Sequence, residues 1–475
     1  MSSKMSHADE PCAKRCKESI KSELQKISSY HILQLNNDCL LTIFEYLNIE
    51  SLCHIANVCT RFKGASEELF SYKYKSFEFK NSNIKLPLLR RVLCKFGHYI
   101  QSLRVECLET ISNLQLAKYC SINLKHLSLR SVKITHDEIV PLVPHLECLE
   151  IRFCQMDAHG DWNKVFNNAP ELEKLVFKMK NGHSKWADNM LMRHMPKLKH
   201  IELDCCDLHS DQLSGILRLN PQLKQLIITT FINDEFIEAI VENVKDLEEL
   251  TFGSKEAKQT GHHSAKGLLR LSELKNLTKL GINDFRWVGY EDSLSLLVKT
   301  FINKNILLEE LSIESRSFDL TVVDDLVNMK TLRKLRLGGF DITATDLIAL
   351  TAELPLLSKL TISYNFNGTI NVGTLITMIE IRKELDYLSF DGDCYFIITE
   401  QDYNSLVQAV LNTGMNRKVK IQVENNDKFD LRVHESTLLA NKNHLELESK
   451  NSKYFDVYSL TVPEDIIKLL KPLST

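Results

Sequence analysis

Several common features are missing from this sequence, and each absence excludes a class of protein. No stretch approaches the roughly 20 apolar residues that a membrane-spanning helix needs. The opening segment MSSKMSHADEPCAKRCKESIKSE has no apolar run that could serve as a signal peptide. The expectation is a soluble protein of the cytoplasm or nucleus, and KRCK at Lys14 is too short to decide between them. Strong charge of either sign is also missing: the formal net charge is -3 and the pI about 6.6, which argues against bulk attraction to nucleic acid or anionic membrane. The thirteen cysteines form no framework and their number is odd, so reduced thiols packed as small apolar residues are expected, as at Cys148, Cys154 and Cys206.

Catalytic motifs are absent too. His434-Glu435 is followed by Leu438 where a zinc-protease helix requires histidine. GHHSAKG at Gly261 lacks the spacing and end of a phosphate loop, and there is no G-x-S-x-G. Cys12 and Cys16, with His7 upstream, have a spacing that could hold a metal, but in a polar tail the pair reads as incidental. No catalytic residue, metal or cofactor is expected.

What is present is a repeat. The pattern L-x-x-L-x-L, with conservative exchanges, starts at Ile100, Leu124, Leu146, Leu172, Leu198, Leu223, Leu247, Leu277, Leu308, Leu332, Leu357 and Leu385. Successive starts lie 22 to 31 residues apart, and in five cases a proline stands two residues ahead (Pro144, Pro170, Pro196, Pro221, Pro355). The fourth and sixth residues of each hexamer alternate inward as a short strand. The intervening segments, such as DEIVPLV after Leu129 and DLIALTAEL after Leu337, carry apolar residues at helical spacing. One such unit cannot close its own core, so stacked neighbours must supply the missing face. That is the logic of a leucine-rich-repeat solenoid.

The units resemble the irregular, cysteine-containing leucine-rich repeats, whose ninth position is often Cys or Asn. Cys154, Cys206 and Asn365 fit; Val132, Phe231, Phe285 and Phe340 are bulky substitutes; Lys180, Lys255, Arg316 and Asp393 depart from the pattern. GSKEAKQTGHHSAKG, Gly253 to Gly267, reads as a polar loop inserted in one unit. After Leu385 the pattern weakens, and KVKIQV, DLRVHES and a hairpin in LELESKNSKYFDVYSL are expected to cap the array.

Ahead of the repeats, Leu40, Leu41, Ile43, Phe44 and Leu47 make a broad apolar helical face, with Asn36 or Asn37 as cap. NIESLCHIANVCTRFKG is expected to be a second helix capped by Asn48 and closed at Gly64, and a third short helix is expected from Ala65 to Tyr74. About 40 residues of helix at this apolar density are marginal alone, so part of their surface covers the end of the solenoid or meets another protein.

The order Leu35-Asn36-Asn37-Asp38-Cys39-Leu40, Ile43-Phe44-Glu45-Tyr46-Leu47, Leu52 and Val58-Cys59-x-x-Phe62 resembles the F-box. Asn36 stands where that family commonly has proline and Phe62 where it commonly has tryptophan. An F-box ahead of leucine-rich repeats is the arrangement of the F-box and leucine-rich-repeat family, substrate receptors of SCF ubiquitin ligases.

The resemblance implies an α/β chain: a tail over residues 1–29, a helical F-box over 30–76, about twelve repeats over 77–414 forming a horseshoe with a concave parallel sheet, and capping strands over 415–475. It also implies that a Skp-type adaptor, itself held by a cullin scaffold, is contacted or its contact surface supported by Leu35, Asn36, Leu40, Ile43, Phe44, Leu47, Leu52, Val58 and Phe62. A target protein would bind the concave face. There His126, Arg130, Arg152, Phe153, Lys174 and Lys178 would form a basic patch suited to an acidic or phosphorylated segment; a solvated face with ordinary surface charge is the plainer alternative. Gly253, Gly281, Gly338 and Gly339 would leave a side-chain-poor strip further along. The competing reading is an interaction scaffold that acts outside ubiquitin transfer.

Overall fold

The computed structural model describes residues 32–80, 86–106, 114–120, 123–157, 160–178, 190–204, 208–229, 232–253, 264–285, 293–315, 321–339, 342–363, 370–391, 396–414, 417–424 and 429–450. The chain begins there with three helices, α1 (Asn37–Glu45), α2 (Ile49–Ile55) and α3 (Thr60–Lys73). Asn36 caps α1 by accepting from Cys39 N at 2.8 Å, and Asn48 caps α2 by accepting from Ser51 N at 2.8 Å. Asp38 and Glu50 sit in the first turns, at the positive ends of the two dipoles.

The helix boundary after Ile55 differs from the expectation. Residues 56–59 turn, Cys59 takes an extended conformation with its sulfur facing Phe62 N at 3.5 Å, and α3 starts at Thr60 and runs straight through Gly64. A sulfur cap is a weak sequence signal, and a glycine with open space around it is tolerated inside a helix that is held elsewhere by packing.

A single parallel sheet of fifteen strands follows, paired in chain order. The strands are β1 (Ser76–Lys80), β2 (Ser102–Glu106), β3 (His126–Arg130), β4 (Cys148–Arg152), β5 (Lys174–Lys178), β6 (His200–Asp204), β7 (Gln225–Ile228) and β8 (Glu249–Phe252). They continue with β9 (Lys279–Phe285), β10 (Glu310–Ser315), β11 (Lys334–Gly338), β12 (Lys359–Ser363), β13 (Tyr387–Asp391), β14 (Val419–Glu424) and β15 (Leu445–Lys450). Each of the twelve hexamers falls on one strand from β2 to β13. In β3, Leu127 and Leu129 are buried while His126 and Arg130 are exposed, and the register stacks like on like from Leu103 through Leu127, Leu149, Leu175, Ile201, Leu226 and Leu250. Burying each of these side chains is worth about 1.5–3 kcal/mol.

The leading residues of the hexamer also have a backbone task. In successive repeats the carbonyl of the second hexamer residue accepts two N–H groups from the next repeat: Gln101 O from Lys125 N at 2.8 Å and His126 N at 2.9 Å, Lys125 O from Glu147 N and Cys148 N, and onward to Ser358 O from Asp386 N and Tyr387 N. This links the repeats before the strand proper begins, and it leaves the second side chain free to be any polar type. Several of these form surface pairs, such as Lys125 with Glu147 and Lys199 with Glu173.

The connections are shorter or longer helices according to sequence. Asp234–Asn243 buries Phe236, Ile237, Ile240 and Val241; Ala344–Glu353 and Glu400–Asn412 begin with capping boxes, Thr343 with Asp346 and Thr399 with Asp402. DEIVPLV does not form a single helix. It gives one turn, His136–Ile139, then a 3-10 turn, Val143–His145, because Pro141 and Pro144 each remove an N–H and clash with the preceding turn. Further along, Arg382 caps the preceding helix, donating to Thr351 O at 3.0 Å and Ala352 O at 2.7 Å, and Arg417 repeats the device one unit later on Ile379 O at 3.0 Å.

At the ninth repeat position Cys154 is buried, its Sγ directed to Leu129 O at 3.4 Å, and Val132 fills the equivalent place before it. Burial pushes the Cys154 thiol up to about 11 and that of Cys53 up to about 11, so neither is a ready nucleophile or ligand. Cys206, Phe231, Phe340, Asn365, Lys180, Lys255, Arg316 and Asp393 lie outside the described residues, and of Phe285 only the backbone of β9 is described.

At the sequence end the sheet continues past the last hexamer. KVKIQV and LELESK form strands there: β14 pairs parallel with β13 and β15 with β14, with Ile421 and Leu445 on the core side. The second arm of the expected hairpin, the 1–29 tail, and residues 451–475 lie outside the described residues. Among the described residues no helix is long and apolar enough to cross a membrane.

Candidate functional site

The nine residues expected at the adaptor surface separate into two sets. Leu40, Phe44, Leu52 and Phe62 point inward: Leu40 and Phe44 lie one turn apart on α1, and the Phe44 and Phe62 rings meet edge to face with centroids 5.4 Å apart. They support the surface and are not part of it. The physical reason is that three short helices must first close a core of their own, with Cys53, Ala65, Leu69 and Phe70 completing it.

Ile43 and Val58 remain 41% and 66% exposed, Asn36 is spent on the cap, and Leu35 and Leu47 are half-buried against the core. The structure adds Tyr46, 87% exposed, and Ile32, 43% exposed. Tyr46 lies three residues beyond Ile43 and therefore on the same side of the chain. That spacing was the available signal, and it was obscured because Tyr46 falls one residue beyond the helix, at its C-cap.

Polar contacts fix this surface. Arg61 donates from Nε to Asn37 Oδ1 at 3.1 Å and from Nη2 to Leu35 O, Tyr72 OH donates to Glu45 Oε1 at 3.0 Å, and Lys73 Nζ reaches Glu45 O at the end of α1. The module is also joined to the repeats. The helix α4 (Leu86–Phe96) lays Phe96 on Phe70 of α3, rings stacked at 4.6 Å and 13°, Arg91 meets His54 at 3.2 Å, and Lys95 bonds Asn57. One apolar cluster runs without interruption from Leu40 to Leu445.

On the polar face of the sheet the six residues of the expected basic patch are brought close together, but not as a bare patch. Arg130 pairs with Glu106 at 3.4 Å; Lys174 and Arg152 both reach Glu150, at 2.7 and 3.5 Å; Arg152 and Lys178 both reach Glu202, at 3.0 and 2.6 Å. Four cations are thus met by three glutamates. This corrects the expectation of a free anion-binding patch. Parallel register places Glu150 and Glu202 two strands apart with Val176 between them, where the Arg152 guanidinium can bridge them. Burial pushes the Glu150 carboxyl up, but Lys174, Arg152 and the Ser128 hydroxyl outweigh it and hold it below the usual range. His126 is exposed at the edge of this network, and Phe153 sits at φ 56 just after β4 with its N–H on Lys178 O at 2.7 Å.

Two of the four glycines have a packing role. Gly253 has φ +107 and a Cβ there would lie 1.8 Å from Asn283 O, so no other residue fits. Gly338 ends β11 on the polar face beside Glu314 and Ser363. Among the described residues no group of three or more His, Cys, Asp or Glu could hold a metal.

Comparison with known proteins places the helical module. Residues 32–74 match the model of the F-box domain. The chain therefore carries an F-box, and an F-box implies binding of a Skp-type adaptor; F-box proteins are generally non-catalytic subunits of ubiquitin ligases. No curated protein matches the chain. Among solved structures, the crystal structure of a Rad7 and Elc1 complex in yeast is similar at 17% identity and a TM-score of 0.40, over 94% of this chain and 87% of that one, too low a score to define the fold.

Proposed function

We propose that this chain is the substrate-recognition subunit of an SCF-type ubiquitin ligase. In this reading the F-box docks on the Skp-type adaptor through Ile43, Tyr46 and Val58, with Leu35 and Leu47 at the margin. The fifteen-stranded array is a leucine-rich-repeat solenoid whose polar face holds a target protein. The single observation that carries it is the F-box match over a module that keeps large apolar side chains in water on top of a complete core.

Catalysis is then positioning. Holding the target and the ubiquitin-charged conjugating enzyme on one assembly raises the effective concentration of target lysines. The continuous core from α1 to β15 supports that role, since a slack joint would dilute it. The thioester chemistry belongs to other subunits.

The test is affinity purification of the tagged full chain from cells beside an Ile43→Asp, Val58→Asp variant, with partners identified by mass spectrometry. Adaptor and cullin should be recovered with the wild type and lost from the variant, while targets persist. Recovery of neither from the wild type would return the chain to the scaffold reading.

A further inference from the structure

We infer that the open end of the array, formed by β15, the short strand Phe429–Arg432 and the helix Glu435–Ala440, is the docking site of the chain's own residues 455–471, which add one further unit to it.

The last described unit is uncovered where its predecessor is covered. The inward Ile421 of β14 is buried, while its register partner Leu447 on β15 is only partly so. Ile398 is buried on the short strand Phe396–Thr399, and its partner Leu431 is again only partly buried. The helix Glu400–Asn412 buries Tyr403, Leu406, Val407 and Val410, whereas Glu435–Ala440 has no buried residue and leaves Leu439 58% exposed. Both parallel sheets also stop here: among the described residues, β15 and Phe429–Arg432 each keep one edge without a neighbouring strand. The end of a solenoid with such an edge needs a cover.

The spacing of the sequence names the occupant. A phenylalanine stands five residues beyond the last residue of each of the final three strands: Phe396 after Asp391, Phe429 after Glu424 and Phe455 after Lys450. The first two of these open the paired short strands. The register step from β13 to β14 is 33 residues, Tyr387 to Lys420, and the short strands take the same step from Phe396 to Phe429. From β14 to β15 the step is 26 residues, Val419 to Leu445. The same step carries Asn425, Phe429, Asp430 and Leu431 onto Asn451, Phe455, Asp456 and Val457. Val457 thus falls in register with the half-covered Leu431, on a parallel strand and not on the returning arm of a hairpin. Thr461-Val462-Pro463-Glu464 then has the order of a capping box, as Thr399 and Asp402 form one before the helix Glu400–Asn412. Pro463 falls in the first turn, where its missing N–H is tolerated. Ile466, Ile467, Leu469 and Leu470 follow at helical spacing and supply the apolar face that Leu438 and Leu439 lack. A foreign partner has no reason to keep this register; a continuing repeat does.

The test is hydrogen exchange read by mass spectrometry on the full chain. Amides of residues 456–470 should exchange at least about tenfold more slowly than an open chain, equally at protein concentrations about a hundredfold apart. Val457→Asp should speed exchange over 456–470 and over the facing Leu431–Ala440, and leave Asn37–Lys73 unchanged. Open-chain rates across 456–470 in the wild type overturn the inference. Protection that is lost on dilution also overturns it, since the occupant is then a second copy. So does a folded Val457→Asp variant in which Leu431–Ala440 exchanges as in the wild type. Should Val457→Asp fail to fold, Leu470→Asp, which spares the strand, is read in the same way. The inference does not depend on the receptor reading, and adaptor binding, at the other end of the array, should be the same in both variants as in the wild type.

Discussion

At the scale of the residue, neighbouring side chains on α1 carry opposite roles. Phe44 is fully buried and Ile43 is 41% exposed. Phe44→Ala should therefore destabilise the protein by about 3–5 kcal/mol through the cavity it leaves. Ile43→Asp should shift denaturant midpoints by little and act on adaptor binding instead. Chemical denaturation followed by adaptor binding separates the two, and a large loss of stability in Ile43→Asp would overturn the assignment. The sequence could not make this division, because both residues fall within one wide apolar arc and only the crossing of α3 decides which side is covered. A second residue-scale prediction concerns Glu150, whose folded value is held below the unfolded one, near 4.3 for glutamate. Such a group contributes stability that is present above the unfolded value and lost as pH falls through the folded value. The difference in melting temperature between wild type and Glu150→Gln should thus be full at neutral pH and shrink below about pH 4; a difference constant with pH would contradict it.

At the scale of the element, caps and breakers were legible where their chemistry is common. Asn36 and Asn48 occupy the cap positions expected, and Asn36→Ala should cost about 1 kcal/mol with little further change in fold, measured by thermal unfolding. The start of α3 was not legible, since its acceptor is the sulfur of Cys59 and Gly64 resembles a terminator. The arginine caps were equally hidden. Arg382 reaches across about 30 residues of sequence to the helix before it, a contact that depends on how repeats stack. Gly253→Ala should be among the more damaging single changes on the polar face, because strain at positive φ adds to a clash with Asn283 O.

At the scale of the molecule, the strand positions could be read almost entirely from twelve hexamers, because each strand repeats one demand: two inward apolar residues and a shared carbonyl before them. The strand β1 escaped the pattern, and KVKIQV and LELESK were read as capping strands and not as further members of the sheet, for a physical reason. They keep the alternation, as Phe77 with Phe79 and Ile421 with Val423, but lack the leading leucine, so the pairing shows that they continue the sheet. The charge pattern of the polar face was the least legible part. Lysines and arginines can be counted along a sequence, but their neutralisation by Glu106, Glu150 and Glu202 depends on the register between strands.

The measurement that bears most directly on the central claim is the affinity of the purified full chain for a purified Skp-type adaptor, by titration calorimetry, beside the Ile43→Asp, Val58→Asp variant. A stable complex with the wild type, and at least a hundredfold weaker binding by a variant with an unchanged melting temperature, equivalent to about 2.7 kcal/mol or more, is the predicted result. No binding by the wild type, or equal binding by the variant, would contradict the assignment of this surface.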